Sequence, residues 1–272
     1  MNLNEIIANA LAEDLPQGDK TTDALNCKIL GRAKVVAKQD LVLSGSIPFT
    51  ETFRQIDSSI SCLWLFKDGQ NVAAGQTIVE LSGPYDGLLK GERVALNFLG
   101  RLSGIATLTT QYVAAVKFSK TKILDTRKTT PGLRFLEKAA VKHGGGENHR
   151  LNLSEAVLLK ENHIRAAGSI NVAVDKIRER YGKTKIEVEV TNLMELDEAL
   201  KCSVDQLLLD NMSVKEIAQA VKNTDGRALI EVSGGVTLES VHQIAQQGVD
   251  FISVGKITHS APAVDVSMLF DK

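Results

Sequence analysis

The chain has 272 residues, 43% apolar and 24% charged, with 32 Lys and Arg against 33 Asp and Glu for a formal net charge of −1. This length supports one large domain or two modest ones with a sizeable core, and the composition excludes a disordered chain. The lack of a basic surplus argues against a general nucleic-acid or anionic-membrane binder.

Three scattered cysteines, Cys27, Cys62 and Cys202, form no CxxC pair, which argues against a disulfide framework or a zinc site. The opening MNLNEIIANALAEDL lacks a basic start followed by an apolar core, and no run approaches the roughly 20 apolar residues of a membrane helix. A cytoplasmic protein is expected. From Gly31 the pieces GRAKVVAKQDLVLSG, CLWLFKDGQ and QTIVELSG are β-rich and broken by glycines. KDGQNVAAGQTIVEL reads as a hairpin turning at Asp68-Gly69, and apolar spacing predicts a helix from Arg93 to Val116 that bridges two domains.

After Lys120 strand and helix alternate. KILD, AVLLK, KIEVEV, QLLLD, ALIEVSGG and DFISVG have the short, aliphatic character of parallel strands. Between them PGLRFLEKAAVKHGGG carries Pro131 near its start and Gly144 at its end. Asn192 with Glu195 and Ser213 with Glu216 have capping-box spacing, and TLESVHQIAQQG closes on Gly248. Six such strands indicate a β/α barrel or an open α/β sheet. Polar groups at the strand ends favour the barrel, left incomplete because eight strands are usual. The expected fold is therefore α/β: a β-rich α+β domain with its linking helix over 1–110, then an incomplete, open β/α barrel over 111–272. The last residues can return to the N-terminal domain.

A barrel would gather the strand ends in one mouth. Ser233-Gly234-Gly235 and Ser253 with Gly255 fit a phosphate cradle on the final two strands, aided by a helix starting near Thr237; the alternative is two tight turns. Glu189 and Asp210, on adjacent strands, fit a Mg²⁺ site beside bound phosphates or a solvent-facing rim pair. Arg127, Lys128, Arg150 and Lys160, with His149 and His163 beside them, concentrate positive charge. Two arginine forks suit a ligand with two carboxylates. Arg134, Lys138 and Lys142 recur every four residues and read as a solvated helix face, while His143 and His242 read as ordinary packed or surface histidines.

The segment DTRKTTPGLRFLEKAAVKHGGGENHRLNLSEAVLLKENH, residues 125–163, resembles the quinolinate phosphoribosyltransferase (decarboxylating) family. LAEDLPQGDKTT, GERVALNFLGRLSGIATLT, KIEVEV, LLLDNM, EVSGG and ISVGKITHSAP resemble further family segments in the same order, so the likeness spans nearly the whole chain. It implies a pentosyltransferase of de novo NAD biosynthesis. Such an enzyme moves phosphoribosyl from phosphoribosyl pyrophosphate (PRPP) to quinolinate, releasing nicotinate mononucleotide, pyrophosphate and CO₂. Both substrates are anionic, which would account for the local cations. By the same resemblance, Arg127, His149, Arg150 and Lys160 bind quinolinate, Arg93 reaches the site from a partner subunit, and Lys128 contacts PRPP or a substrate carboxylate. Glu189 and Asp210 serve the ribose and Mg²⁺ as catalytic groups with Lys128, and Ser233, Gly234, Gly235, Ser253 and Gly255 hold the 5′-phosphate. A homodimer with shared sites, or a hexamer, is implied. Glu161, Thr191 and Val232 depart from the commonest family pattern, and Thr191 removes a negative charge near the metal side.

Four rivals remain at this point. A related molybdenum-linked group differs around LLKENH, a nicotinate phosphoribosyltransferase would need only one carboxylate partner, and a barrel aldolase would use Lys160 as a Schiff base. A catalytically silent metabolite-binding protein would have little reason to keep Glu189 and Asp210.

Overall fold

The computed structural model describes residues 2–27 and 29–271. In chain order the first elements are α1 (Leu3–Asp14), α2 (Lys20–Leu25), β1 (Leu30–Ala37), β2 (Leu41–Val42), α3 (Ser46–Ile56), β3 (Ser61–Trp64), β4 (Asn71–Val72), β5 (Thr77–Pro84) and α4 (Tyr85–Ala115). There follow β6 (Lys122–Leu124), α5 (Arg134–His143), β7 (Val157–Leu159), α6 (Glu161–Ala167), α7 (Ile170–Tyr181), β8 (Ile186–Val190) and α8 (Leu193–Lys201). The chain continues through β9 (Gln206–Asp210), α9 (Val214–Thr224), β10 (Leu229–Ser233), α10 (Leu238–Ala245), β11 (Phe251–Ser253), α11 (Lys256–His259) and β12 (Val266–Phe270). Among the described residues no helix is long and apolar enough to cross a membrane.

Two compact units emerge: Met1–Thr110 with Thr129–Gly145 and Lys256–Lys272, and Gln111–Lys128 with Gly146–Gly255. After the boundary at 110/111 the chain therefore returns to the first unit twice, the first time with α5. That unit is built on an antiparallel sheet ordered β12-β1-β5-β3. β1 alternates, with Ala33, Val35 and Ala37 buried, as a sheet with one covered face requires. Phe49 and Phe53 on α3 fill the space above it, and the Phe49 ring also meets Trp64 edge-on at 5.3 Å. These rings supply much of the apolar area that holds the unit together.

Three local expectations fail here. The turn at Asp68-Gly69 does not join the strands on its two sides into a hairpin: β3, before it, pairs with β5, and β4, after it, pairs with β2. The chain turns twice instead. Gln70 Oε1 accepts from Lys67 N–H at 2.7 Å and Gln76 Oε1 accepts from Ala73 N–H at 2.8 Å, so each turn is closed by its own glutamine. Lys138 is only 2% exposed, not on a solvated face, because Leu136, Glu137, Ala140 and Val141 around it are buried too. Helix α4 also begins earlier than Arg93. Gly87 and Gly91 depress helix propensity there, but a Cβ at Gly91 would run into the Phe53 ring, so packing keeps the small residue inside the helix.

The second unit holds six parallel strands ordered β6-β11-β10-β9-β8-β7. This is the wall of a barrel left open between β6 and β7, among the described residues. Ile186, Val188 and Val190 of β8 are fully covered, while Glu187 and Glu189 between them are half-buried on the opposite face. Ser213 and Glu216 form the complete capping box before α9. Asn192 caps α8 from one side only, since Glu195 turns its carboxylate to Thr191 instead.

Candidate active site

The carboxyl ends of the parallel strands converge on a cleft of about 550 Å³ whose lining lies entirely within the second unit. Register explains the convergence: Ser233 on β10 pairs with Asp210 on β9, and Ser253 on β11 pairs with Leu124 on β6. Arg127, Lys128, His149, Arg150, Lys160, Glu189, Asp210, Ser233, Gly234, Gly235 and Ser253 all line it. Gly255 lies two residues beyond β11 and is outside the lining. Arg93 is exposed on α4 in the first unit.

The basic side is under electrostatic tension. Arg150 is 9% exposed, and its guanidinium is pushed below its ordinary pKa, first by burial and then by repulsion from Arg127, with Glu187 opposing. Two guanidiniums close enough to repel each other in one cleft wall favour a bound anion there. Arg150 Nη1 is anchored by donation to the Ala156 carbonyl at 2.8 Å. Lys160 is ion-paired with Glu189 across β7 and β8.

On the acidic side Asp210 Oδ2 accepts from Asn211 Nδ2 at 2.8 Å. Glu189 and Asp210 offer hard carboxylate oxygens at an open mouth, a donor set that suits Mg²⁺ shared with phosphate oxygens. Gly234 and Gly235 have φ of +91° and +61°, and a Cβ on Gly234 would overlap the Asn211 side chain. Glycine is required there, and it exposes the backbone at the cleft edge. Thr237 caps the start of α10 by accepting from Ser240 N–H.

One layer deeper lies a group of which the sequence reading singled out only His149. His149 Nε2 is 3.3 Å from Glu187 Oε2 and 3.6 Å from Glu231 Oε1, and Gln206 Nε2 donates to both glutamates at 3.0 and 2.8 Å. Glu231 is 0% exposed; burial and the charge of Glu187 push its carboxyl up to about 8, against the opposing pull of His149 and Ser253. The signal was present in ALIEVSGG: an acid flanked on both sides by covered aliphatic residues of a central parallel strand needs a specific partner.

Comparison with known proteins agrees across the chain. The profile of the quinolinate phosphoribosyl transferase N-terminal domain matches residues 19–103, and that of the C-terminal domain matches residues 105–269. A Synechocystis protein named "Probable nicotinate-nucleotide pyrophosphorylase (carboxylating)" is 45% identical over 262 residues, covering 95% of this chain and 89% of its own. The nicotinate-nucleotide pyrophosphorylase structures from Francisella tularensis and Ehrlichia chaffeensis superpose with TM-scores of 0.94 and 0.96 at 41% and 40% identity. They cover 99% and 100% of this chain, and 96% and 99% of theirs. Matched over both of its domains and nearly its full length, the chain belongs to the quinolinate phosphoribosyltransferase family.

Proposed function

We propose that the strand-end cleft transfers phosphoribosyl from PRPP to the ring nitrogen of quinolinate with loss of CO₂, in NAD biosynthesis. One observation carries the reading: a single cleft is lined by Arg127, Lys128, Arg150 and Lys160 together with Glu189 and Asp210, beside the turn at Gly234-Gly235. Quinolinate brings two carboxylates, which the two arginine forks can take with Lys160. The glycine turn and the start of α10 suit the 5′-phosphate of PRPP, and Lys128 suits its pyrophosphate.

Glu189 and Asp210 would hold Mg²⁺, which when bound would neutralise charge on the departing pyrophosphate. The C–O bond from ribose to pyrophosphate breaks as the pyridine nitrogen forms its bond to the same carbon. Positive charge grows on the sugar, where the carboxylates of Glu189 and Asp210 stabilise it. Alkylation makes the pyridine nitrogen cationic, so it accepts the electron pair left when the adjacent carboxylate departs as CO₂. A proton then fills that ring position. No covalent intermediate on the protein is needed, and positioning carries the rate.

Purified protein with quinolinate, PRPP and Mg²⁺ should yield CO₂ and nicotinate mononucleotide in equal amounts, dependent on PRPP. Folded protein giving neither product would overturn the reading. Arg93 is assigned to a partner subunit's site within a homodimer. Mixing Arg93→Ala with Lys160→Ala should restore activity through hybrid dimers, and no recovery after proven subunit exchange would remove the shared site.

A further inference from the structure

His149 offers two ring nitrogens, and both are taken by the protein. Nδ1 accepts the backbone N–H of Arg150 at 2.7 Å. A nitrogen that accepts carries no proton, so the proton of the neutral ring sits on Nε2. Nε2 faces Glu187 Oε2 at 3.3 Å and Glu231 Oε1 at 3.6 Å. The backbone is held as well: His149 N–H donates to Oδ1 of Asp125, a fully buried side chain just beyond β6, at 2.9 Å.

We propose that His149 is a positioning residue: neutral, with its proton on Nε2, it ties the Arg150 main chain to the buried Glu187–Glu231 pair and thereby aims the Arg150 guanidinium, lending no ring nitrogen to substrate. The inference rests on the transfer reading above only for the name of the substrate.

The charged groups around the ring decide where its protons sit. Glu187 faces it from β8, Glu231 from β10, Asp125 from the end of β6, and Arg150 follows it in the chain; Gln206 of β9 and Ser253 of β11 complete the shell as neutral groups. Burial lowers the imidazole pKa, and the Glu187 hydrogen bond with the charges of Glu231 and Glu187 outweighs it, giving a net upward pull. Geometry opposes that pull. A second proton would have to occupy Nδ1, where the Arg150 amide already points its own. One proton can instead remain on Glu231, which burial pushes up to about 8, leaving Glu187 to accept from Nε2. The same geometry works against a metal. His149, Glu187 and Glu231 place ligand atoms within 4.8 Å of one another, but Nε2 could bind one only by giving up its proton, and moving that proton to Nδ1 would break the bond from the Arg150 amide.

The first test is nitrogen NMR on the full protein labelled at histidine, with the His149 signals assigned by their loss in His149→Asn. Between about pH 6 and pH 8, where an ordinary histidine titrates, Nδ1 should stay unprotonated and Nε2 protonated. Two protonated nitrogens in that window overturn the proposal in ligand-free protein, whatever reaction the enzyme performs. Saturating quinolinate should leave both signals in place; a large shift at either nitrogen would restore direct contact. The second test compares amide substitutes. Asn places its oxygen where Nδ1 accepts, whereas Gln reaches only toward Nε2. His149→Gln should raise the quinolinate KM about tenfold more than His149→Asn, the equivalent of one neutral hydrogen bond, with the PRPP KM alike in the two. The reverse order, or equal losses, counts against the role.

Discussion

Glu187 and Glu189 stand two residues apart on β8 and face the same side of the sheet, yet they live in different chemistry. Glu189 lies at the strand end, ion-paired with Lys160 in an open cleft. Glu187 lies one layer down with Glu231, Gln206 and His149, where little water reaches. The period of a strand gives both residues the same direction; depth alone separates a group that can meet an incoming cation from one that serves its neighbours. The upper layer is suited to ligands and the lower layer to the upper.

If that division holds, substitutions in the upper layer should act on turnover and substrate, and those in the lower layer on stability and aim. Asp210→Ala should produce the largest loss, about 100- to 1,000-fold in turnover with PRPP and Mg²⁺, because it removes charge stabilisation from the transition state. Steady-state kinetics with unchanged quinolinate KM is the check. Arg150→Ala comes next, raising the quinolinate KM about 10- to 100-fold through loss of a charged hydrogen-bond partner. An unchanged KM would mean that the two-arginine reading of the pocket is wrong.

The deeper layer should answer to pH. Folded Glu231 keeps its proton beyond the ordinary 4.5, up to about 8, so between those values the folded state binds more protons than the unfolded one. Stability should therefore fall as pH rises through that window, by at most about 1.4 kcal/mol per unit. Glu231→Gln, which cannot titrate, should flatten this dependence in denaturant unfolding followed across pH. The same slope in both proteins would place the shifted proton elsewhere. Smallest of all, Ser213→Ala removes a cap remote from the cleft and should cost about 1 kcal/mol of stability with kinetics unaltered.

These layers were unequally legible in the sequence. Strand ends can be read because polar residues interrupt aliphatic runs, and Lys160, Glu189 and Asp210 were found that way. The family likeness supplied roles that spacing alone left open, as it did for Arg93. Glu187 passed unnoticed because EVEV looks like simple alternation, and only the register with Gln206 shows what lies beside it. Lys138 misled for a related reason: helical spacing identifies a shared face but not whether that face meets solvent. The hairpin at Asp68-Gly69 failed because Gln70 and Gln76 each close a separate turn, a choice between local hydrogen bonds that glycine placement does not announce.

The pairing of β12 with β1 sets an order of events. Ala33 is matched with Phe270, and the whole parallel sheet lies between them in the chain. On a ribosome the first sheet must wait with one edge of β1 uncovered while everything in between is made. That edge is a docking strip for any stray strand, so synthesis speed and chaperone cover should matter more to the yield of this protein than its final stability does. A version circularly permuted by joining the two ends, so that β12 precedes β1 with only α1 and α2 between them, should refold faster from denaturant, with the same strands in the finished sheet.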